Sequence, residues 1–174
     1  MTGSHLCPQW YLLWVRHRTE KKVALVLSIK GFEVFLPTYR ATRQWSDRVK
    51  EIELPLIPGY LFCRFRSSDL LRVVSTASVL SGCGADPHPV PVSEFEMARI
   101  RRVLTSGFPI EPWPDQVAGW EMAGRMVCID QGRLCDVSGV LLEEGNRCRL
   151  VVRLDPVQHS VAVEIPKEQI SLRA

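Results

Sequence analysis

A segment rich in proline and glycine divides this chain into two unequal parts. Residues 106–119 contain three prolines and two glycines. Prolines so closely spaced lack the backbone N–H groups that a helix or a central strand requires. We therefore expect residues 106–119 to form a semi-extended linker between two domains. The first domain would cover residues 9–105, after a flexible tail over residues 1–8, and the second would cover residues 120–174.

The two parts of the chain differ in charge. Residues 1–105 hold 15 Lys and Arg against 9 Asp and Glu, whereas residues 106–174 hold 7 against 10. The first part is therefore basic and the second acidic, although the net charge of the whole chain is only +3. A basic domain favours a polyanion or an acidic protein surface, so we expect the two domains to face different partners.

Before the expected linker, short apolar runs of strand character alternate with helical patterns. The strand-like runs cover residues 10–15, 32–36, 60–65 and 79–83. The helical patterns cover residues 20–30 and 67–75, and a third helix begins after Ser93. This alternation predicts an α+β fold in which helices pack on an antiparallel sheet, a ferredoxin-like variant.

Particular residues mark where these elements begin and end. Thr19 has the position of a helix N-cap, and Gly31 supplies a C-terminal stop. Ser93 and Glu96 have the spacing of a capping box. The polar residues 40–50 are expected to form a hairpin tip, and residues 84–91 a loop rich in turns.

After the linker the sequence changes to short apolar runs separated by turns. Strands are predicted over residues 126–129 and 137–142, followed by a turn over residues 143–146. Alternate residues of the next run share one face: Cys148, Leu150, Val152 and Leu154. About 55 residues with several short strands fit a small all-β barrel of SH3-like size.

No arrangement of reactive side chains indicates catalysis or metal binding. The four histidines are scattered, with no carboxylate at the spacing of a proton relay. The six cysteines form no C-x-x-C pair and have no histidine at zinc-ligand spacing. Nucleotide-binding and hydrolase motifs are also absent from the sequence. We therefore expect a protein that is not an enzyme and that has no metal site and no cofactor.

The sequence also predicts a cytoplasmic protein without membrane association. No apolar run approaches the ~20 residues that cross a bilayer, and residues 1–9 lack the features of a signal peptide. In a reducing compartment the cysteines are expected to act as small buried hydrophobic residues.

A group of cations surrounds one tryptophan in the first domain. This basic sector comprises Arg16, Arg18, Lys21, Arg40, Arg43 and Arg48, together with Trp45. An exposed aromatic ring can stack on an unpaired base while cations hold the phosphate backbone. The basic sector is therefore a candidate for nucleic-acid contact. A solvated helix face or hairpin has the same composition, so both interpretations stay open at this point.

The apolar run from Leu54 to Phe62 contains two prolines, Pro55 and Pro58. Because they forbid a continuous central strand, part of the run can form a bent edge that is available to a partner. Tyr60 and Leu61 should point to opposite faces, so the run cannot be buried on one side only. Packing in the core is the alternative for each side chain.

Three motifs of the first domain resemble the N-terminal domain of the NusG family. They are Trp10-Tyr11 followed by residues 16–23, Phe35-Leu36-Pro37, and the run from Pro55 to Phe62. In the second domain, residues 124–129 with Gly132-Arg133-Leu134 and Gly139-Val140 resemble a KOW motif. The motifs follow the family's order over almost the whole chain. The resemblance is to transcription elongation factors of the NusG/RfaH kind, in which the second domain is an SH3-like KOW barrel.

This resemblance implies that the first domain binds RNA polymerase at the clamp helices of its largest subunit, near the non-template DNA strand. Bridging the cleft would suppress pausing because it favours the elongating conformation. The expected docking residues are Trp10, Ile57, Pro58, Tyr60 and Phe62. The KOW domain would recruit a second partner, such as ribosomal protein S10 or the termination factor Rho. The residues expected to contact that partner are Arg133, Leu134 and Val137.

Two departures from the housekeeping pattern favour a specialised regulator of particular operons. Gly132-Arg133-Leu134 stands where many housekeeping members have Gly-Pro-Phe, which leaves the partner of the second domain open. The hairpin residues 40–50 are more similar to specialised paralogues such as RfaH-like regulators. The alternative function is a ribosome-associated or RNA-binding KOW protein that does not act on polymerase. In either case we expect a monomer.

Overall fold

The computed structural model describes residues 7–44, 49–81, 88–114, 124–144 and 147–167. The chain forms two compact units, Met1–Met97 and Ala98–Ala174. The boundary between them lies inside a helix that precedes the predicted linker. The domain limits drawn from the sequence stay predictions, and most of the expected tail lies outside the described residues.

The first unit is built on an antiparallel sheet. Its strands and helices in chain order are β1 (Gln9–Val15), α1 (Glu20–Ile29), β2 (Glu33–Phe35), β3 (Thr38–Gln44), β4 (Val49–Pro55), β5 (Tyr60–Phe65), α2 (Leu70–Val74), β6 (Val79–Ser81), β7 (Val90–Val92) and the start of α3 (Glu94–Leu104). The central sheet has the order β2-β5-β1-β6, and β7 also pairs with β1. This confirms the α+β fold that was expected from the sequence.

Helices α1 and α2 cover one face of this sheet. Val23 and Leu27 of α1 and Val73 of α2 pack with alternate residues of the two central strands. Those strand residues are Leu13 and Val15 of β1 and Leu61, Cys63 and Phe65 of β5. Burial raises the pKa of the Cys63 thiol to about 12, which fits the expected role of a small hydrophobic residue.

Helix α1 begins after Thr19, as predicted, but Thr19 does not cap it through its side chain. The Thr19 hydroxyl donates instead to the Arg16 carbonyl oxygen at 2.6 Å, so the capping prediction was wrong. The helix ends where Gly31 adopts a φ of +90°. The Phe32 N–H then donates to the Leu27 carbonyl oxygen at 3.1 Å, a C-terminal arrangement that glycine favours.

Strands β3 and β4 form a separate two-stranded hairpin. Their register runs from Thr38 opposite Pro55 to Gln44 opposite Val49. A hairpin therefore lies where the sequence predicted one, but its strands extend further into residues 40–50 than a hairpin tip would. β-branched and aromatic residues such as Tyr39, Thr42 and Ile52 sustain strands in spite of the many charges around them. Residues 45–48, between the two strands, lie outside the described part of the chain.

Helix α3 begins with the predicted capping box. The Ser93 hydroxyl accepts a hydrogen bond from the Glu96 N–H at 3.2 Å, and the Ser93 N–H donates to Glu96 Oε2 at 3.0 Å. Two N-terminal donors are thereby satisfied, and each cap of this kind stabilises a helix by about 1 kcal/mol.

After the end of α3, the second unit forms an all-β sheet. Its strands are β8 (Ile110–Trp113), β9 (Arg125–Cys128), β10 (Ser138–Glu144), β11 (Arg147–Leu154) and β12 (His159–Pro166). They are antiparallel, in the order β8-β12-β11-β10-β9. The residues predicted to share the buried face of β11, Cys148, Leu150, Val152 and Leu154, are all buried. Val151, on the opposite face, is buried as well.

Strand β8 lies within the segment expected to be a semi-extended linker. Ile110 to Trp113 pair with residues 160–163 of β12, so these four residues form part of the second sheet. The prolines exclude a central strand but not an edge strand, and β8 lies at the edge of its sheet. Strand β7 contains Pro91 and overlaps residues that were expected to form a loop. Its described neighbour is β1, and this position at the side of the sheet also tolerates a proline.

Among the described residues, none of the helices is both long and apolar enough to cross a membrane. Over the same residues, no group of three His, Cys, Asp or Glu side chains is placed to hold a metal ion.

Candidate functional site

Residues Ile57 to Tyr60 form a tight turn that leads into β5. The Tyr60 N–H donates to the Ile57 carbonyl oxygen at 3.3 Å, and Gly59 has a φ of +86°. Proline in the second position and a glycine of positive φ in the third are typical of a type II turn. Pro58 is exposed at its apex. We call residues 57–60 the Pro-Gly turn.

The Pro-Gly turn is held by residues around the start of α1. The Gly59 N–H donates to Glu20 Oε1 at 2.8 Å, and the Gly59 carbonyl oxygen accepts from the Val15 N–H at 2.8 Å. Glu20 is only 3% exposed. The His17 ring covers the glycine so closely that a Cβ atom on Gly59 would lie 3.1 Å from His17 Cε1. Gly59 is therefore required both for its φ and for its lack of a side chain.

The predicted docking residues differ in exposure. Trp10, Ile57 and Phe62 are at most 1% exposed, Tyr60 is half-buried and Pro58 is exposed. In the pairing of β1 with β5, Tyr60 stands opposite Trp14, on the face away from the core under α1 and α2. Leu61 belongs to that core, so the two neighbours do point to opposite faces. In this structure Pro58 and Tyr60 form the accessible part of the predicted dock.

The loop between β1 and α1 carries three exposed residues, Arg16, His17 and Arg18. Since His17 packs on Gly59, this basic loop lies beside the apex of the Pro-Gly turn. The structure thus brings together two features that the sequence presented separately, the basic sector and the Pro-Gly turn.

Lys21 has partners inside the protein. Its Nζ donates to the Glu53 carbonyl oxygen at 2.9 Å and to Glu53 Oε2 at 3.1 Å. It therefore joins the first turn of α1 to β4. The neighbouring Lys22 is exposed and makes no hydrogen bond or ion pair with another described residue.

The hairpin separates the remaining cations of the basic sector between two faces. Arg40 pairs with Glu53, whereas Arg43 pairs with Lys50. Because side chains alternate along a strand, positions 40 and 43 belong to opposite faces. The face of Arg40 also carries Glu51, whereas the alternate positions 39, 41, 50, 52 and 54 hold no acid. Trp45 and Arg48 lie outside the described residues.

Glu53 is the acidic centre of the Arg40 face. The Thr38 hydroxyl donates to Glu53 Oε1 at 2.7 Å, and Lys21 binds the other carboxylate oxygen. These hydrogen bonds, that of Thr38 first, and the charge of Lys21 hold the pKa of the Glu53 carboxyl below its usual 4.5. The ionised form of Glu53 is thus the one that the fold stabilises.

The residues predicted to bind a partner in the second unit are mostly internal. Leu134 and Val137 are buried, and only Arg133 is exposed. Arg133 follows Gly132, which has a φ of +81°, and its Nη1 donates to the Ser106 carbonyl oxygen at 3.0 Å. Any contact of Leu134 or Val137 with a partner stays a prediction.

Sequence reasoning placed His17 among the cations near the start of α1 but did not find its contact with Gly59. It also did not find the contacts of Glu20 and Glu53. A glutamate in the first turn of a helix is ordinarily a solvated residue that complements the helix dipole, so its type and position gave no sign of a buried contact. The available signal was Pro58-Gly59, since a type II turn beside buried strands needs a partner for any N–H group that it buries.

Comparison with known families covers this region of the chain. The family model described as "Transcription termination factor nusG" matches residues 8–101. This range is more than half of the 174 residues and includes the Pro-Gly turn, the basic loop and the hairpin. The chain belongs to the NusG family. As a member of the NusG family it is a transcription elongation factor in the general sense. The family is non-enzymatic, which agrees with the absence of a catalytic motif from the sequence.

Solved structures give the fold independently. A structure on domain interaction in Thermotoga maritima NusG is similar with a TM-score of 0.60 and 21% sequence identity, over 94% of this chain and 96% of that chain. At this identity the similarity shows the fold. Conformation A of an MjSpt4:Spt5 complex matches over 95% of this chain and 98% of that chain, with 11% identity and a TM-score of 0.30. That score is too low to support an argument. No curated protein matches the sequence.

Proposed function

We propose that this NusG-family protein binds RNA polymerase through its first unit and suppresses pausing. The observation that carries the proposal is the Pro-Gly turn, which presents exposed Pro58 and half-buried Tyr60 beside the exposed cations of the basic loop. A proline and a tyrosine supply rigid contact area, and tyrosine keeps a polar tip that tolerates the wet rim of an interface. The partner surface would be the clamp helices of the largest polymerase subunit.

The mechanism requires no chemistry by the factor itself. Polymerase alternates between paused and elongating conformations, and a ligand shifts such an equilibrium only by its differential affinity for the two states. A factor that bridges the cleft binds the closed, elongating state more tightly. Such a factor acts in the cytoplasm, where bacterial polymerase transcribes.

The cations are proposed to contact the non-template DNA strand near the transcription bubble. Arg16 and Arg18 are exposed in the basic loop, and Arg43 stands opposite Lys50 in the register of the hairpin. Backbone contacts of this kind bind without reading sequence and weaken as salt rises. Trp45 and Arg48 extend the proposal to the hairpin tip.

The second unit is proposed to be a KOW domain that recruits another protein, with ribosomal protein S10 and Rho as the candidate partners. The departure at Gly132-Arg133-Leu134 favours a specialised antiterminator over a housekeeping factor. Exposed Arg133 is the residue best placed to distinguish such partners.

Replacing Tyr60 by Ala tests the polymerase dock. We expect Tyr60→Ala to reduce pull-down of core polymerase by at least about tenfold, since truncating an aromatic anchor costs ~2 kcal/mol or more. A cooperative melt of the variant must show that the protein still folds. The control is Leu71→Ala, because Leu71 is 78% exposed on α2, which covers the opposite face of the sheet.

A folded Tyr60→Ala variant that binds polymerase and suppresses pausing like the wild type would remove Tyr60 from the interface. If wild-type protein bound RNA but not polymerase, the alternative of an RNA-binding KOW protein would replace the proposal.

A further inference from the structure

We propose that the first two residues of α1, Glu20 and Lys21, act as a clasp that fixes both ends of the segment from Glu53 to Gly59. This clasp would set the geometry of the Pro-Gly turn relative to the hairpin before either meets a partner. Glu20 and Lys21 are therefore positioning residues. The inference deepens the proposed function, because it concerns how the polymerase dock is kept ready for binding.

The first arm of the clasp is the Glu20 carboxylate. It is 3% exposed and accepts the Gly59 N–H at 2.8 Å. An ionised acceptor makes a stronger hydrogen bond than a neutral one. Without it the Gly59 N–H would lose its partner at a buried position, which is unfavourable. Glu20 thus favours the orientation of the Pro58-Gly59 peptide that a type II turn requires.

The second arm is the Lys21 ammonium group. It binds both the backbone oxygen and the Oε2 atom of Glu53, while Thr38 donates to the other carboxylate oxygen. Glu53 is thereby held by α1 on one side and by β3 on the other. A single exposed ion pair contributes little to stability, but these three hydrogen bonds together fix the position of Glu53 in β4.

Between the two arms the chain has little freedom left. Pro55 and Pro58 fix two φ angles, and the Leu56 N–H donates to the Pro37 carbonyl oxygen at 2.8 Å. Leu56 and Ile57 are buried. A turn that is already ordered avoids the entropy loss that a flexible loop incurs on binding. The clasp therefore contributes to affinity without contacting the partner.

Hydrogen exchange of the Gly59 amide measures the first arm directly in the full-length protein. We expect Glu20→Ala to accelerate exchange of the Gly59 amide by about tenfold or more, over and above any acceleration of the amides that exchange only through global unfolding. We also expect Glu20→Ala to weaken polymerase binding by about tenfold. Glu20→Gln keeps a side-chain oxygen acceptor, so it should restore most of the protection and most of the binding. If the glutamine side chain restores both properties, the effect of Glu20→Ala comes from loss of the hydrogen bond that positions Gly59 and not from a general loss of packing.

The second arm is tested at an exposed residue whose replacement does not endanger folding. Lys21→Met removes the hydrogen bonds to Glu53, and Lys21→Arg preserves a donor. Lys22→Met removes the same charge from the adjacent exposed position. We expect Lys21→Met, but neither Lys21→Arg nor Lys22→Met, to weaken polymerase binding by a few-fold and to accelerate amide exchange in β4.

Each outcome decides the inference. Accelerated Gly59 exchange with unchanged polymerase affinity in Glu20→Ala would overturn it and leave the proposed dock intact. Equal effects of Lys21→Met and Lys22→Met would show that Lys21 acts through its charge alone and not through its hydrogen bonds to Glu53. That result would overturn the two-armed clasp. If wild-type protein failed to bind polymerase, the proposed function would fail, and with it the role of the clasp in docking. Gly59 exchange would then show only whether Glu20 holds the turn.

Discussion

At the scale of single residues, Gly59 is the most constrained position of the Pro-Gly turn. Its φ of +86° disfavours any side chain by about 1–2 kcal/mol, and a Cβ atom there would lie only 3.1 Å from His17 Cε1, closer than an ordinary van der Waals contact. Gly31 provides a matched comparison, because it has a φ of +90° with no atom within 4 Å of a built Cβ.

We therefore expect Gly59→Ala to lower the free energy of unfolding more than Gly31→Ala does, by about 1 kcal/mol or more. Denaturant unfolding of the two variants measures the difference. Adding His17→Ala should recover the excess loss in Gly59→Ala and have no such effect in Gly31→Ala. Equal losses at the two glycines would show that the contact with His17 has no energetic weight.

At the scale of elements, the hairpin of β3 and β4 has two chemically different faces. Arg40 lies in register with Glu53, and Arg43 with Lys50. We expect Arg43→Ala to weaken crosslinking of the polymerase-bound factor to DNA, and to reduce its salt dependence by about one phosphate contact. Arg40→Ala, which removes the same charge from the acidic face, is the control. Similar losses in both variants would mean that the hairpin acts through net charge alone.

The attachment of the hairpin to α1 should depend on pH. The pKa of Glu53 is lowered in the folded protein by hydrogen bonds from Thr38 and Lys21 and by the positive charges of Lys21 and Arg40. A carboxyl group whose pKa is lowered on folding stabilises the folded state at pH values above its usual pKa of 4.5. This contribution is lost as the pH falls through the lower pKa of the folded state.

Unfolding of wild type and of Glu53→Gln, compared at about pH 6 and about pH 3, tests this dependence. The wild type should be the more stable of the two at the higher pH, and the difference should shrink at the lower pH. A difference that grew on acidification would contradict the assignment.

The elements that the sequence did not predict share a physical cause. Apolar periodicity identified β1, β5, α1 and the alternating face of β11, because burial decides those positions. β7 and β8 contain prolines, and only the pairing of strands distant in sequence shows that they are edges, where proline is tolerated. Thr19 was assigned as a cap from its residue type, but its hydroxyl donates to the Arg16 carbonyl oxygen and does not bind an N–H group of α1. The contact between Glu20 and Gly59 joins residues far apart in the chain, and no local pattern encodes it.

At the scale of the whole molecule, β8 extends the second sheet into the segment that the sequence assigned to a linker. A fragment of residues 106–174 contains β8, whereas one of residues 119–174 lacks it. We expect both to give strand-type circular dichroism spectra and the longer one to melt roughly 5 °C or more higher, since Ile110 to Trp113 complete the pairing of β12. Equal melting temperatures would mean that β8 adds nothing to the stability of the second sheet.

The position of β8 also has a consequence for the order in which a growing chain can fold. On the ribosome β8 is made before every other strand of its sheet, but its partner β12 is made last. The strands of the first sheet precede it and can pair while synthesis continues, because domains fold as units from the N-terminus. β8 must wait unpaired, and an unpaired strand invites association with other chains. Pro112, within β8, and Pro109 and Pro114, which flank it, have no N–H groups to offer such contacts. We therefore expect the prolines that mark this segment in the sequence also to limit association of the nascent protein with other chains.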